Sequence, residues 1–497
     1  MTAPPSPDPF RQAVLTASVL LGSMMVVIDS TIASVALPHI QASTGAAIDQ
    51  IVWVLTSYMI ATAIATPLSG WLATRFGRKP VMLASLAGFT LASMLCGVAG
   101  DLSTLVLARA LQGASGAGLQ PLAQAALLDV YPREKHARVL AVQGMASMIG
   151  PLFGPTLGGW LTDTLSWRWV FFINLPLGGL ALFGVAAFLP RGDDRQPTRF
   201  DLFGFAALAL AVASLQLLLD RGAQRDWFDA AEIRLWLVLV LLGLWSTVVH
   251  TLTGARPFVR RELFRDWNFV VTSAFGTVLC VAAFGSQPLT TFWLQNLMGY
   301  TALRAGSLIA VASLSSLLSV LVLSGPLSRL GPRLLMAFGL ALMGWSQVMY
   351  ARLDLTSDQW PFIAAGLVKG AGTGLVFTTL PGLTYATLDP ALRNEGAAFN
   401  ALVRNMGMSV GISLMQILAL RRADGAHAGL VQAVRPDNVM IDFSMPWLDL
   451  GATGGVARIS GMIARQAAVV GYVEAFLLAG LVAFALIPFV FLMRVRR

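Results

Sequence analysis

The chain has 497 residues, 56% of them hydrophobic and only 12% charged, with a formal net charge of +9. A soluble globular protein carries about 25% charged residues, so this composition excludes a water-covered fold of such length and predicts a multi-span membrane protein. The positive balance does not indicate nucleic acid as a partner, because no basic run interleaved with exposed aromatics occurs.

Cys96 and Cys280 lie in apolar runs, and the scattered His39, His136, His250 and His427 build no zinc motif. No metal or cofactor is expected. Residues 1–12 open with a Pro-rich stretch and are expected to be disordered. The apolar run after them continues without a convincing cleavage site and is read as a span, not a signal peptide.

A spanning helix needs about 20 mostly apolar residues. Fourteen segments qualify, at about 13–37, 51–73, 80–100, 104–128, 138–161, 169–189, 201–219, 234–253, 268–293, 304–324, 333–351, 360–383, 396–420 and 466–493. An even count puts both termini on one side. Setting the N-terminus inside gives twenty basic residues in inner segments and six in the short outer loops. That asymmetry predicts cytoplasmic termini and a bacterial inner-membrane location.

The spans divide into an N-terminal six-helix bundle (13–190), a two-helix insertion (191–265) and a C-terminal six-helix bundle (266–493). The second bundle includes a long outer loop at 421–465, and a tail at 494–497 follows it. Arg75-Phe-Gly77-Arg78-Lys79 and Arg329-Leu-Gly331-Pro-Arg333 follow the second span of each bundle. This weak repeat suits two bundles related by an axis along the membrane normal.

Ionisable groups within spans are costly and mark function by default. Asp29 is the only acid of the first span, and Arg109 and Gln112 lie three residues apart on one face of the fourth. Lys369, Arg404 and Glu474 are further intramembrane candidates for proton coupling. Each of these groups can equally serve a structural network. Trp53, Tyr58, Gln112 and Gln295 are candidates for a substrate cavity. Trp71, Trp160, Trp169, Trp267 and Trp360 sit near span ends, as membrane-interface anchors do.

Several segments together resemble one family. Gly70-Trp-Leu-Ala-Thr74-Arg75-Phe-Gly77-Arg78-Lys79 resembles the loop signature of the major facilitator superfamily, except that Thr74 stands where an acid is usual. Leu107-Ala-Arg109-Ala-Leu-Gln112-Gly113 resembles its fourth-span signature, whose Arg is associated with proton transfer. Gly150-Pro151-Leu-Phe-Gly154-Pro155-Thr-Leu-Gly158-Gly159 is similar to the antiporter signature of its exporters. Ile28-Asp29-Ser-Thr-Ile, Trp167-Arg-Trp-Val-Phe-Phe-Ile-Asn174-Leu-Pro176, Trp293-Leu-Gln295-Asn-Leu-Met-Gly299-Tyr300 and Arg404-Asn-Met-Gly407-Met-Ser-Val-Gly411 resemble the fourteen-span drug:proton antiporters, the EmrB-like multidrug pumps among them.

The resemblance implies an all-α major facilitator fold and proton-driven export of hydrophobic or amphipathic small molecules by alternating access. Its partners would be protons, the lipid bilayer and, as in many such pumps, a periplasmic adaptor with an outer-membrane channel. Gating would fall to the loop glycines and Arg75, Arg78 and Lys79, and to the Gly150–Gly159 stretch. The three lysines, Lys79, Lys135 and Lys369, form no phosphate-binding loop, so ATP is not the direct driver. An importer of the same fold is the nearest alternative. A membrane-embedded enzyme or sensor is the distant one, for which no catalytic constellation is visible.

Overall fold

The computed structural model describes residues 9–46, 48–51, 53–132, 135–190, 200–222, 227–254, 257–300, 302–323, 330–389, 392–433 and 453–494. Residues 1–8 of the expected disordered N-terminus, 434–452 of the outer loop and 495–497 of the tail lie outside them. Among the described residues the secondary structure is helical, with no strand.

The first half contains α1 (Pro9–Thr44), α2 (Trp53–Phe76), α3 (Arg78–Val98), α4 (Leu102–Gly116), α5 (Leu119–Val130), α6 (His136–Thr164) and α7 (Asn174–Phe188). Helix α1 begins inside the stretch expected to be disordered, because a proline fits the first turn of a helix, where its missing N–H is not needed. The expected fourth span is two helices, α4 and α5. The chain breaks at Ala117–Gly118, where a Cβ on Gly118 would come within 2.8 Å of Ser69, and Pro121 follows in the new first turn.

Helices α8 (Leu202–Gly222) and α9 (Ala231–Thr253) follow as a pair. The second half holds α10 (Trp267–Gly285), α11 (Gln287–Phe292), α12 (Ala302–Leu323), α13 (Pro332–Tyr350), α14 (Gln359–Thr384), α15 (Arg393–Ala433) and α16 (Thr453–Leu486). Nine helical stretches among the described residues are long and apolar enough to cross a membrane. Much of the loop expected at 421–465 is helix, since α15 runs on to Ala433 and α16 starts at Thr453. The added turns are polar and contain several Ala and Arg, good helix formers that extend an existing helix readily.

The internal repeat has a physical counterpart. Lys79 Nζ donates to the carbonyl of Leu189, just past α7, at 2.6 Å. Arg333, at the equivalent place in the second half, donates to the carbonyl of Met493, past α16. Each half thus ties its sixth expected span to the start of its third with one basic side chain.

Separate apolar cores fill the halves, around Met25, Leu86 and Phe89 in the first and around Trp293, Phe362 and Phe476 in the second. Helix α8 lies across the seam, packing on α2 and α15. Ala63, Leu208, Val212 and Leu402 form one buried cluster there, and Ser409 Oγ donates to Gln216 Oε1 at 2.9 Å. The α8–α9 pair is closed by Asp201, which accepts from His250 Nε2 at 2.7 Å, Phe258 N at 2.8 Å and Gly204 N at 3.0 Å. Helix α9 turns Leu235, Leu241, Trp245 and Leu252 outward, as a lipid-facing helix does.

Close approach of α6 to α1 depends on glycine. A Cβ on Gly150 would meet the Val27 carbonyl carbon at 2.9 Å, one on Gly154 would overlap Thr31 Oγ1 and meet Thr31 Cβ at 2.8 Å, and one on Gly158 would meet Ile32 at 3.2 Å. Thr31 Oγ1 also donates to the Gly150 carbonyl at 3.2 Å. Small residues four apart allow such backbone contact in membranes. Gly159 faces open space. Gly154→Val should therefore lower the melting temperature of the purified protein, by an overpacking penalty of about 1–3 kcal/mol. Gly159→Ala should leave it near the wild-type value in the same thermal unfolding assay.

Candidate functional site

Four helices of the first half converge on Asp29. Its carboxylate and the Arg109 guanidinium are 2.6 Å apart, and both side chains are 0% exposed. Asp29 Oδ1 also accepts from Gln112 Nε2 at 2.7 Å and from Asn174 Nδ2 at 2.9 Å. Arg109 Nη1 donates to Gln112 Oε1 at 2.7 Å, and its Nε donates to the Val54 carbonyl at 3.1 Å. The guanidinium lies 4.1 Å from the centre of the Tyr58 ring. Asn174 is oriented in turn by a 3.0 Å bond to Ser93 Oγ, which donates to the Phe171 carbonyl at 2.8 Å.

Local sequence sets this geometry up. One helical turn separates Arg109 from Gln112, so both reach the same carboxylate. The glycine face of α6 packs on Val27–Ile32, the turns of α1 that carry Asp29. Gly113 lets α4 approach the Tyr58 carbonyl of α2. The result is a buried carboxylate whose charge is balanced only while its partner stays in place.

A second feature is a cavity of about 240 Å³ between the halves. Gln120 and Gln124 of α5 and Gln143 of α6 line one side; Gln287, Tyr350, Lys369, Asn400 and Arg404 line the other. Leu140, Phe284, Ile309 and Phe377 supply apolar wall.

Below the cavity the halves meet at the end that carries the basic loops. Leu128 and Leu140 pack with Leu263, Phe269, Tyr385, Leu388 and Leu392 in one buried cluster, and Tyr385 Oη donates to Gln124 Oε1 at 3.4 Å. Asp129 pairs with Arg78 and lies 4.0 Å from Arg393 of the second half. Gly77 has φ of 91°, a left-handed conformation that favours glycine at this turn. Arg75 lies over the Trp71 and Phe76 rings, 5.5 and 5.7 Å from their centres. Thr74 turns back on its own helix and donates to the Gly70 carbonyl at 3.0 Å. Among the described residues, a charged contact between the halves is made by Asp129, not from position 74.

The residues singled out in the sequence fall into separate places. Asp29, Arg109, Gln112 and Tyr58 form the buried cluster. Lys369 and Arg404 line the cavity, remote in sequence but joined in space. Glu474 pairs with Arg422 at 2.8 Å across α15 and α16, partly exposed, and lines no cavity described here. Trp53 stacks under Arg221 at 4.9 Å, and Gln295 lies in the π-helical turn Trp293–Leu297. None of the four cavity candidates from the sequence lines the cavity. Trp160, Trp169, Trp267 and Trp360 are exposed, as anchors are. No cluster of metal-ligating side chains occurs among the described residues.

Residues 19–412 match the Major Facilitator Superfamily model, and the chain belongs to that superfamily of membrane transporters. It is 32% identical to the multidrug export protein EmrB of Escherichia coli (strain K12), over 91% of this chain and 89% of that one. The Haemophilus influenzae protein of the same name is 34% identical over 94% of this chain and 93% of its own. The fatty acid resistance protein FarB of Neisseria gonorrhoeae is 32% identical over 97% and 96%. The human organic anion transporter MFSD10 has a similar fold, with a TM-score of 0.63 at 14% identity, covering 97% of this chain and all of the other.

Asp29→Asn should destabilise the protein by about 3–5 kcal/mol, because it strands a buried guanidinium. The double variant Asp29→Leu/Arg109→Met should recover most of that loss in the same denaturation experiment.

Proposed function

We propose that the protein is a proton-coupled exporter of hydrophobic or amphipathic small molecules, working by alternating access in the bacterial inner membrane. The observation that carries this reading is the buried Asp29–Arg109 pair, 2.6 Å apart and shielded from solvent. The EmrB-like relatives and the Gly150–Gly159 stretch support the outward direction. On this reading the chain crosses the membrane fourteen times, with both termini in the cytoplasm and α8 and α9 inserted between two six-helix bundles.

The mechanism follows from the geometry. In the form described, the cytoplasmic end is closed by the Leu128–Leu392 cluster and the Asp129–Arg393 contact. Asp29 has no solvent exposure, so it exchanges its proton only when the first half rearranges. A proton arriving from outside neutralises Asp29 and weakens its hold on Arg109, Gln112 and Asn174. Release of those three donors loosens α1, α4 and α7. Helix α6, seated on α1 through its glycines, carries the change to the cavity wall at Leu140, Gln143 and Gly144. The bundles then rock about the seam, opening the cavity to the cytoplasm. Substrate enters, the proton leaves inward, and the closed cytoplasmic end re-forms.

Lys369 and Arg404 act on the substrate side of this cycle, Arg75, Arg78 and Lys79 at the gate, and Glu474 with Arg422 at the outer end. The two outer helical extensions, Arg421–Ala433 and Thr453–Arg465, provide a surface for a periplasmic adaptor, which would pass substrate to an outer-membrane channel.

In inverted vesicles with an acidic interior, wild-type protein should accumulate substrate, and an uncoupler should abolish the accumulation. Asp29→Asn should stop accumulation against a gradient and retain downhill exchange. Unchanged accumulation in that variant would remove Asp29 from the coupling role. Inward accumulation by right-side-out vesicles under an inward proton gradient would instead favour an importer.

Asp129→Asn should shift the population towards the form open to the cytoplasm, by up to about fivefold, as about 1 kcal/mol for a partly exposed ion pair allows. The readout is the labelling rate of a cysteine placed at Gln124, in a protein lacking Cys96 and Cys280.

A further inference from the structure

The central cavity carries charge of one sign. Lys369 of α14 and Arg404 of α15 both line it, and no Asp or Glu does so among the described residues. No described carboxylate lies within 4.0 Å of either cation. Lys369 Nζ reaches Ser286 Oγ at 3.5 Å, and Ser286 already accepts from Gln347 Nε2 at 2.8 Å. Its Nζ also lies over the Tyr350 ring, 5.9 Å from the ring centre. Arg404 Nε is buried and has no hydrogen-bond partner among the described residues.

Such an arrangement is poorly satisfied by the protein itself. Charges inside membranes pair with opposite charges or with carbonyls, because desolvation is otherwise uncompensated. Lys and Arg are donors only, so neither can satisfy the other. Contrast Arg109, which is fully buried and meets Asp29, Gln112 and the Val54 carbonyl. The neutral lining at Gln120, Gln124, Gln143 and Asn400 offers further amide donors, and Phe284, Ile309 and Phe377 offer an apolar wall. At about 240 Å³ the space is small beside the roughly 300–1,000 Å³ of a typical drug site, which suits a single-tailed molecule better than a two-chain lipid.

We propose that the cavity selects amphipathic organic anions, a carboxylate or sulfonate on an apolar body, with the headgroup held between Lys369 and Arg404. The proposal rests on the export reading and adds the substrate's charge to it. Cationic amphiphiles of the same size are rejected by like-charge repulsion, not by shape.

The test uses purified protein in nanodiscs of zwitterionic lipid, with empty nanodiscs subtracted. Decanoate and decyltrimethylammonium share a tail and differ in the sign of the head. Decanoate should bind at least about tenfold more tightly, the ratio expected from one hydrogen bond to a charged group. Lys369→Gln and Arg404→Gln should each reduce that preference, Lys369→Arg should retain it, and Lys369→Glu, which sets one anion against Arg404, should abolish it. Melting temperatures of the four variants identify any that misfold.

Equal binding of the two probes overturns the proposal, as does a preference unchanged in folded Lys369→Gln and Arg404→Gln. Displacement of decanoate by anionic phospholipid added to the nanodiscs assigns the cations to lipid headgroups and also overturns it. Proton-driven transport separates the two readings. Movement of decyltrimethylammonium alone overturns anion selectivity and leaves export standing. Decanoate binding with no proton-driven movement of either probe supports the site and overturns export.

Discussion

The structure depends on one ionic contact that water never reaches. Asp29 and Arg109 are held 2.6 Å apart inside the first half of the molecule, and loss of either would leave the other a buried, unmatched charge. Every helix around them is placed to keep them together. Helix α1 brings the acid and α4 brings the base and Gln112. Helix α2 gives the Val54 carbonyl and the Tyr58 ring, and α7 opens with Asn174. A carboxylate that accepts from three donors is rigid while ionised. Once protonated it loses its charge, and the three donors lose their common anchor. On the proposed reading, this lets a single proton bias a large rearrangement.

The other half is built on the opposite principle. Where the first half matches its buried cation with an acid, the second leaves Lys369 and Arg404 facing an open cavity. On the proposed reading, coupling and substrate binding are separated in space: the buried Asp29–Arg109 pair lies in one half, and the cavity lies on the seam with its cations from the other. The glycine face of α6 connects them, touching α1 beside Asp29 and lining the cavity one to two turns away. The proposed gate is a third device. Asp129 reaches Arg78 in its own half and Arg393 in the other, a charged contact that does not need an acid at Thr74.

Much of this was legible in the residues. Asp29 and Arg109 stood out because a charge inside a span is too costly to be idle, and their helical partner Gln112 followed from spacing. The spans were readable from apolar length, and the glycine stripe from its four-residue period. Asn174 was missed, because an Asn two residues before a proline at a helix start reads as a cap and not as a carboxylate's donor. Asp129 was missed for a related reason, since a lone acid at a span end looks solvated until the other half is in place. Tyr58 and Gln112 were assigned to a cavity and lie in the ion-pair cluster. Periodicity tells which face of a helix is inward, not which neighbour fills it. Lys369 and Arg404 stand out singly, while their shared cavity exists only after α14 and α15 have both packed on α10. The turns beyond Leu420 were read as loop because they are polar, yet polarity ends a span without ending a helix.

The central claim is that Asp29 takes up the transported proton. Infrared difference spectra of the protein in nanodiscs, recorded as pH is lowered, report it most directly. The account predicts a protonated-carboxyl band that grows on acidification in wild-type protein and is missing in Asp29→Asn. The same band persisting undiminished in Asp29→Asn, or no band in wild type across the range where transport is active, would contradict it.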